Sequence, residues 1–109
     1  MKFLKLGKNS IKIYDMDNFF SKFKGIMFKK EKIKDGYLFY NTNSIHMFFC
    51  FQEIDVVMTD KNYKVLYKYE NLKPWKVILP KKDVFYTFEL PKGSSKTIFL
   101  NEILTLEEK

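Results

Sequence analysis

Three observations predict a mainly β chain. Short alternating or apolar runs recur between turn residues, Ala is absent while Phe, Tyr and Trp make up 18 % of the chain, and a single stretch carries helical spacing. The expected architecture is a compact single-domain β-sandwich or partly open barrel of about seven short strands, with one short helix near residues 17–25. A chain of 109 residues, 46 % apolar and with only four Gly and three Pro, is neither disordered nor collagen-like and is long enough for one core over residues 1–109.

Alternation at Phe3 to Lys5 and again at Ile11, Lys12 and Ile13 predicts one or two N-terminal strands broken near Gly7 to Ser10. Asp15 or Asp17 can cap a helix whose apolar residues Phe19, Phe20, Phe23, Ile26 and Met27 follow three-four spacing, and Gly25 is placed to end it. Tyr37 to Tyr40 reads as a strand, Asn41 to Asn43 as a turn, and Ser44 to Phe51 as a central strand apolar on both faces. Ile54 to Thr59 should be its neighbour. After a turn at Asp60 to Asn62, Tyr63 to Leu72 alternates as a strand with one wet face. Pro74 and Pro80 frame Trp75 and Val77 to Leu79. Asp83 to Leu90 is a further strand stopped by Pro91 and Gly93, and Ile98 to Leu100 and Ile103 to Leu106 finish the domain.

The basic side chains are 20 Lys and no Arg against 13 acids, a net charge of +7. Residues 1–34 carry ten Lys and three acids, residues 35–60 no Lys and four acids, and residues 61–109 ten Lys and six acids. Basic character therefore sits at the two ends of the chain, with the middle acidic. No stretch approaches the roughly 20 apolar residues of a spanning helix. Lys2 and Lys5 bracket too short an apolar run for an export signal, so the expected compartment is the cytoplasm and no membrane contact is expected. One cysteine, Cys50, removes intrachain disulfides and Cys-based zinc sites. Phosphate cradles of the Gly-x-Gly or Walker type are absent, and neither cofactor nor metal is expected.

Read in order, Gly25-Ile26-Met27-Phe28-Lys29, Gly36-Tyr37-Leu38-Phe39, His46-Met47-Phe48-Phe49, Ile54-Asp55-Val56-Val57, Lys73-Pro74-Trp75 and Glu89-Leu90-Pro91-x-Gly93 resemble the domain of unknown function 192 family over about residues 15–106. The resemblance implies a mainly β, sandwich-type fold of bacteria and archaea and brings no established activity with it. Two positions depart from the family pattern. Lys29 stands where the family usually has Arg, losing a planar fork that clamps carboxylates, and Asn101-Glu102 replaces a Gly-Asp turn.

Only His46, Cys50 and Asp55 suggest nucleophilic or metal chemistry. Four strand residues separate His46 and Cys50 by about 13 Å, too far for a thiolate–imidazole pair, so no catalytic residue is assigned. Asp55 in an apolar strand needs several donors and either ties down a turn or lines a pocket. The Gly25 to Lys29 turn would present Met27 and Lys29 on a loop, and Trp75 after Pro74 is either a stacking platform or a lid on the core.

These features lead to a non-enzymatic ligand- or protein-binding module with Gly25, Met27, Lys29, His46, Asp55 and Trp75 as its candidate contact residues. The first alternative is weak, non-specific nucleic-acid binding through the Lys22 to Lys34 run, less favoured because Lys lacks the bidentate readout of Arg. The second is a hydrolase or metal-dependent enzyme centred on His46 and Asp55.

Overall fold

A computed structural model of the chain describes residues 1–16 and 29–109. Its strands are β1 (Lys2–Leu6), β2 (Asn9–Met16), β3 (Gly36–Tyr40), β4 (Ile45–His46), β5 (Ile54–Thr59), β6 (Val65–Leu72), β7 (Val77–Ile78), β8 (Tyr86–Pro91) and β9 (Leu106–Glu108), with a 3-10 turn at Ser94–Thr97. Seven of them form one sheet in the order β6-β5-β8-β3-β2-β1-β9, and β4 and β7 form a separate two-stranded sheet. The predicted mainly β class is the observed one. The helix expected near residues 17–25 lies outside the described residues.

Among the described residues all pairings are antiparallel except β2 with β3, which run parallel with Ile13 opposite Gly36. A parallel pair cannot be joined by a tight turn, and residues 17–35 make the connection. Gly36 makes a close fit where β2, β3 and β8 meet, because a Cβ there would come within 2.6 Å of Ile13 Cδ1 and 2.8 Å of Leu90 Cδ2.

β5 is the strand buried on both faces, every residue from Ile54 to Thr59 being buried. Its alternation separates two cores. Ile54, Val56 and Met58 join Tyr37, Phe39, Ile45, Met47, Cys50 and Ile78 on the face covered by the small sheet, here called the lobe face. Val57 joins Leu4, Ile13, Leu38, Phe88, Leu90, Ile98 and Leu104 on the opposite face, covered by the 3-10 turn and the segment after it. That segment spans from one sheet edge to the other. Val65 N donates to Glu102 O, Leu104 N to Tyr63 O and Lys5 N to Thr105 O, so the large sheet curls over its second core without closing into a barrel.

Two expected strands are corrected. Ser44 to Phe51 is strand only at Ile45–His46. It then turns, with Cys50 N donating to Met47 O at 3.2 Å and Phe49 in the left-handed region at φ 60°. An unbroken apolar run reads alike for a doubly buried strand and for a turn that exposes aromatics, and here Phe48, Phe49 and Phe51 are exposed. Ile98 to Leu100 is loop: Ile98 plugs the core while Phe99 and Leu100 face outward.

Candidate functional site

Met47 organises the lobe that β4 and β7 build. Its side chain is fully buried, and its backbone is shared three ways: the N–H donates to Lys76 O at 2.7 Å, and the carbonyl accepts from Trp75 N at 2.7 Å and from Cys50 N. The segments 46–49 and 73–75 are thereby locked together. Trp75 is held at φ 68°, a conformation unusual for an aromatic residue and one that costs of order 1 kcal/mol. What that backbone achieves is display: the Trp75 indole is 55 % exposed and is not a lid on the core.

Around Trp75 the rings form one cluster. Phe48 and Trp75 have centroids 6.1 Å apart, Phe49 and Trp75 lie 5.1 Å apart edge to face, and His46 and Phe48 are 5.1 Å apart. Val77, paired with His46, and Leu79, 70 % exposed, extend the apolar surface. Segments 44–52 and 71–82 contribute four lysines, Lys73, Lys76, Lys81 and Lys82, and no acid. Single exposed apolar residues are ordinary, whereas a contiguous patch with a polar rim marks an interaction surface.

Asp55 lies elsewhere. Alternation from Ile54 and Val56 turns it to the face opposite the lobe, where it has no exposed surface. Oδ1 accepts from Asn71 N at 3.0 Å, and Oδ2 accepts from Gly93 N at 3.1 Å, Ser95 N at 2.9 Å and Ser95 Oγ at 2.6 Å. Burial alone would raise its pKa, but these donors outweigh it and hold the carboxyl below the usual range. The carboxylate fastens the bulge of β6 to the turn after β8. Both Asn71, at φ 55°, and Gly93, at φ 89°, use left-handed backbone to bring their N–H groups to it. Asp55 and Trp75 therefore share no concavity.

Lys29 stands on the lobe face with Nζ 5.3 Å from the Tyr37 ring centre, and its hydrogen bond with Tyr37 raises its pKa. With Lys30, Lys32, Lys34, Tyr14 and Tyr37 it lines an open cleft of about 780 Å³. Gly25 and Met27 lie outside the described residues.

Glu89, a residue the sequence reading passed over, sits on the lobe face between Tyr37 of β3 and Val56 of β5 in the register. It is 5 % exposed, and its Oε1 has no hydrogen-bond partner among the described residues. Burial pushes its pKa up to about 8, so it is a neutral acid at neutral pH. Cys50 is buried beside it, and burial together with the Glu89 charge pushes the thiol up to about 11, leaving no thiolate for chemistry.

The described side chains do not assemble a reactive centre. Lys2 Nζ meets Tyr40 Oη at 2.6 Å and Asp15 Oδ1 at 2.9 Å, and Tyr40 Oη donates to Asp15 at 2.9 Å. This triangle resembles an acid–base relay, yet burial raises Tyr40, and for Lys2 the hydrogen bonds to Tyr40 and Asp15 outweigh burial and carry it above the lysine range. Neither can act as a base near neutrality. His46 and Asp55 are on opposite faces of the sheet. Among the described residues no group of three His, Cys, Asp or Glu is placed to hold a metal ion, and no helix is long and apolar enough to cross a membrane.

Residues 3–102 match the model of the DUF192 family, described as Uncharacterized ACR. A UPF0127 protein of Pyrococcus horikoshii is 35 % identical over 86 residues, covering 75 % of this chain and 74 % of that protein. A UPF0127 protein of Thermococcus kodakarensis is 32 % identical over 92 residues, 79 % of this chain and 57 % of that one. Among solved structures, a protein of unknown function from Novosphingobium aromaticivorans superposes with a TM-score of 0.76 at 15 % identity, covering 98 % of this chain and 83 % of that one. A candidate transcription regulator from Sinorhizobium meliloti superposes with a TM-score of 0.76 at 16 % identity, covering 97 % and 90 %. At those identities the likeness concerns the fold.

Proposed function

The chain belongs to the DUF192 family, and on that premise we propose that it is a non-enzymatic binding module whose contact surface is the lobe around His46, Phe48 and Trp75. The observation that carries this reading is the left-handed Trp75, whose backbone closes the turn against Met47 and holds a large ring in water. Strain of this kind gathers at working surfaces. Of the other candidate residues, Lys29 belongs to the neighbouring cleft and Asp55 supports the frame. A cytoplasmic setting and a small-molecule or protein partner belong to the same reading.

A second reading rests on the cleft lined by Tyr14, Tyr37, Lys29, Lys30, Lys32 and Lys34, where four lysines outnumber the lining acids Glu31 and Asp35 and suit a phosphate-bearing chain. It would be weak, sequence-independent and salt-sensitive.

The test carries wild type and Trp75→Gly side by side through a metabolite library read by thermal shift, a displayed peptide library and a fluorescent single-stranded oligonucleotide. The lobe reading expects one class of probe to bind wild type and to weaken at least tenfold in the variant. Binding that is indifferent to Trp75 in every class rejects it, and loss of oligonucleotide binding on Lys30→Glu/Lys32→Glu alone selects the second reading.

A further inference from the structure

We propose that the occupant of the lobe is an extended segment of another protein, acidic and carrying large apolar side chains, laid along the small sheet; this rests on the lobe being the contact surface. Three observations converge. First, the lobe presents Trp75, Phe48, Val77 and Leu79 as exposed apolar surface and carries Lys73, Lys76 and Lys82 as exposed chain neighbours, with no acid within residues 44–52 and 71–82. Apolar anchors inside a rim of one charge select a partner of opposite rim charge. Second, among the described residues β4 and β7 pair only with each other. A two-stranded sheet with no third strand beside it among the described residues is a template for strand addition, in which backbone hydrogen bonds supply affinity and alternate side chains supply selection. Along β7, Val77 points out and Ile78 in, the alternation such an added strand would read. Third, Phe48, Trp75, Val77 and Leu79 are each between 42 % and 70 % exposed, so what they offer is a surface. An open surface of this kind suits a chain rather than a small molecule, which needs enclosure.

The same geometry argues against the other polymers. Bases stack on open, parallel faces, whereas the lobe rings lean on one another at 31°, 41° and 61°. A lipid surface would be satisfied by apolar tips and positive charge alone and would have no use for a two-stranded template or for a Trp75 backbone fixed by the Met47 carbonyl.

The experiment pans a random peptide library displayed on phage against the full chain, then measures synthetic versions of the enriched peptides. The expected winners combine Asp or Glu with Leu, Phe or Trp. Their binding should fall at least tenfold in Trp75→Gly and at least fivefold in Lys73→Glu/Lys76→Glu, a change confined to exposed side chains. Winners that lack acids, or that ignore the lysine reversal while still needing Trp75, overturn the acidic segment and leave the lobe as contact surface. Failure to enrich any peptide, with Trp75-dependent binding to phosphatidylcholine–phosphatidylglycerol vesicles or to single-stranded DNA, overturns the protein partner in favour of that polymer. Indifference to Trp75 across all three probes removes the lobe itself.

Discussion

The Met47 carbonyl accepts the Trp75 backbone amide at 2.7 Å, and this bond joins a residue whose side chain is fully buried to one whose side chain is largely exposed. Met47 fixes the lobe to the core while Trp75 faces outward from the same backbone junction. The junction makes stability and binding separable, which the first prediction uses.

Trp75→Gly removes the ring and relieves the left-handed backbone at φ 68°. The relief of about 1 kcal/mol is opposed by the lost contacts to Phe48 and Phe49 and by the added freedom of the unfolded chain. Stability measured by urea unfolding should stay within about 1 kcal/mol of wild type, while binding through the lobe is lost. Met47→Ala, in contrast, empties a core site and should cost about 2–4 kcal/mol.

Asp55→Asn keeps the shape and removes the charge. An amide offers one oxygen where four donors from Asn71, Gly93 and Ser95 converge, and its NH₂ group would face an N–H. Chemical denaturation should show a loss of about 3 kcal/mol, with a smaller loss of about 1 kcal/mol for Ser95→Ala. A variant as stable as wild type would mean that the carboxylate does not fasten the turn.

Two buried carboxyls give the stability two opposite pH limbs. Asp55 is held low, so its contribution is present above the unfolded Asp pKa and is lost as pH falls through the folded one. Glu89 is pushed up to about 8. The folded chain then binds more protons than the unfolded chain between roughly pH 5 and 8, and stability declines as pH rises through that window, by on the order of 4 kcal/mol in total. Urea midpoints should peak near pH 5, and Glu89→Gln should flatten the alkaline limb. A flat wild-type profile up to pH 9 would show that Glu89 is solvated or paired.

Gly36→Ala should cost about 1 kcal/mol, because the new methyl meets Ile13 Cδ1 and Leu90 Cδ2, the mobile ends of two side chains. Shortening one of them should return part of the loss. A double-mutant cycle with Ile13→Val, measured by thermal unfolding, should therefore show a favourable coupling.

Sequence alone located much of the frame and little of the surface. Ile54 to Thr59 was legible to the residue, since an apolar run of that length between turns has few alternatives. Asp55 announced its need for donors by standing in that run, but the donors lie 16 to 40 residues away and only the register brings them close. The parallel β2–β3 pairing left no local signature. His46 and Trp75 stand among the contact residues expected from sequence, but the turn that carries Phe48 was hidden for the opposite reason: His46 to Phe51 looks more buried than β6 does, and hydrophobicity cannot tell a core strand from an aromatic turn. Alternation along β8 would have turned Glu89 toward the same face as Thr87, a signal available from Tyr86 to Pro91 and outweighed by the Glu-Leu-Pro-x-Gly pattern around it.

The lobe as contact surface is tested most directly by the fluorescence of Trp75, the one tryptophan of the chain, with and without a saturating enriched peptide. Its exposed indole should emit as a water-facing tryptophan and be readily quenched by acrylamide in the free protein. Bound peptide should shift the emission to the blue and protect it at least twofold from the quencher. Unchanged emission and quenching, with the peptide demonstrably bound, would place the contact surface elsewhere and contradict the account.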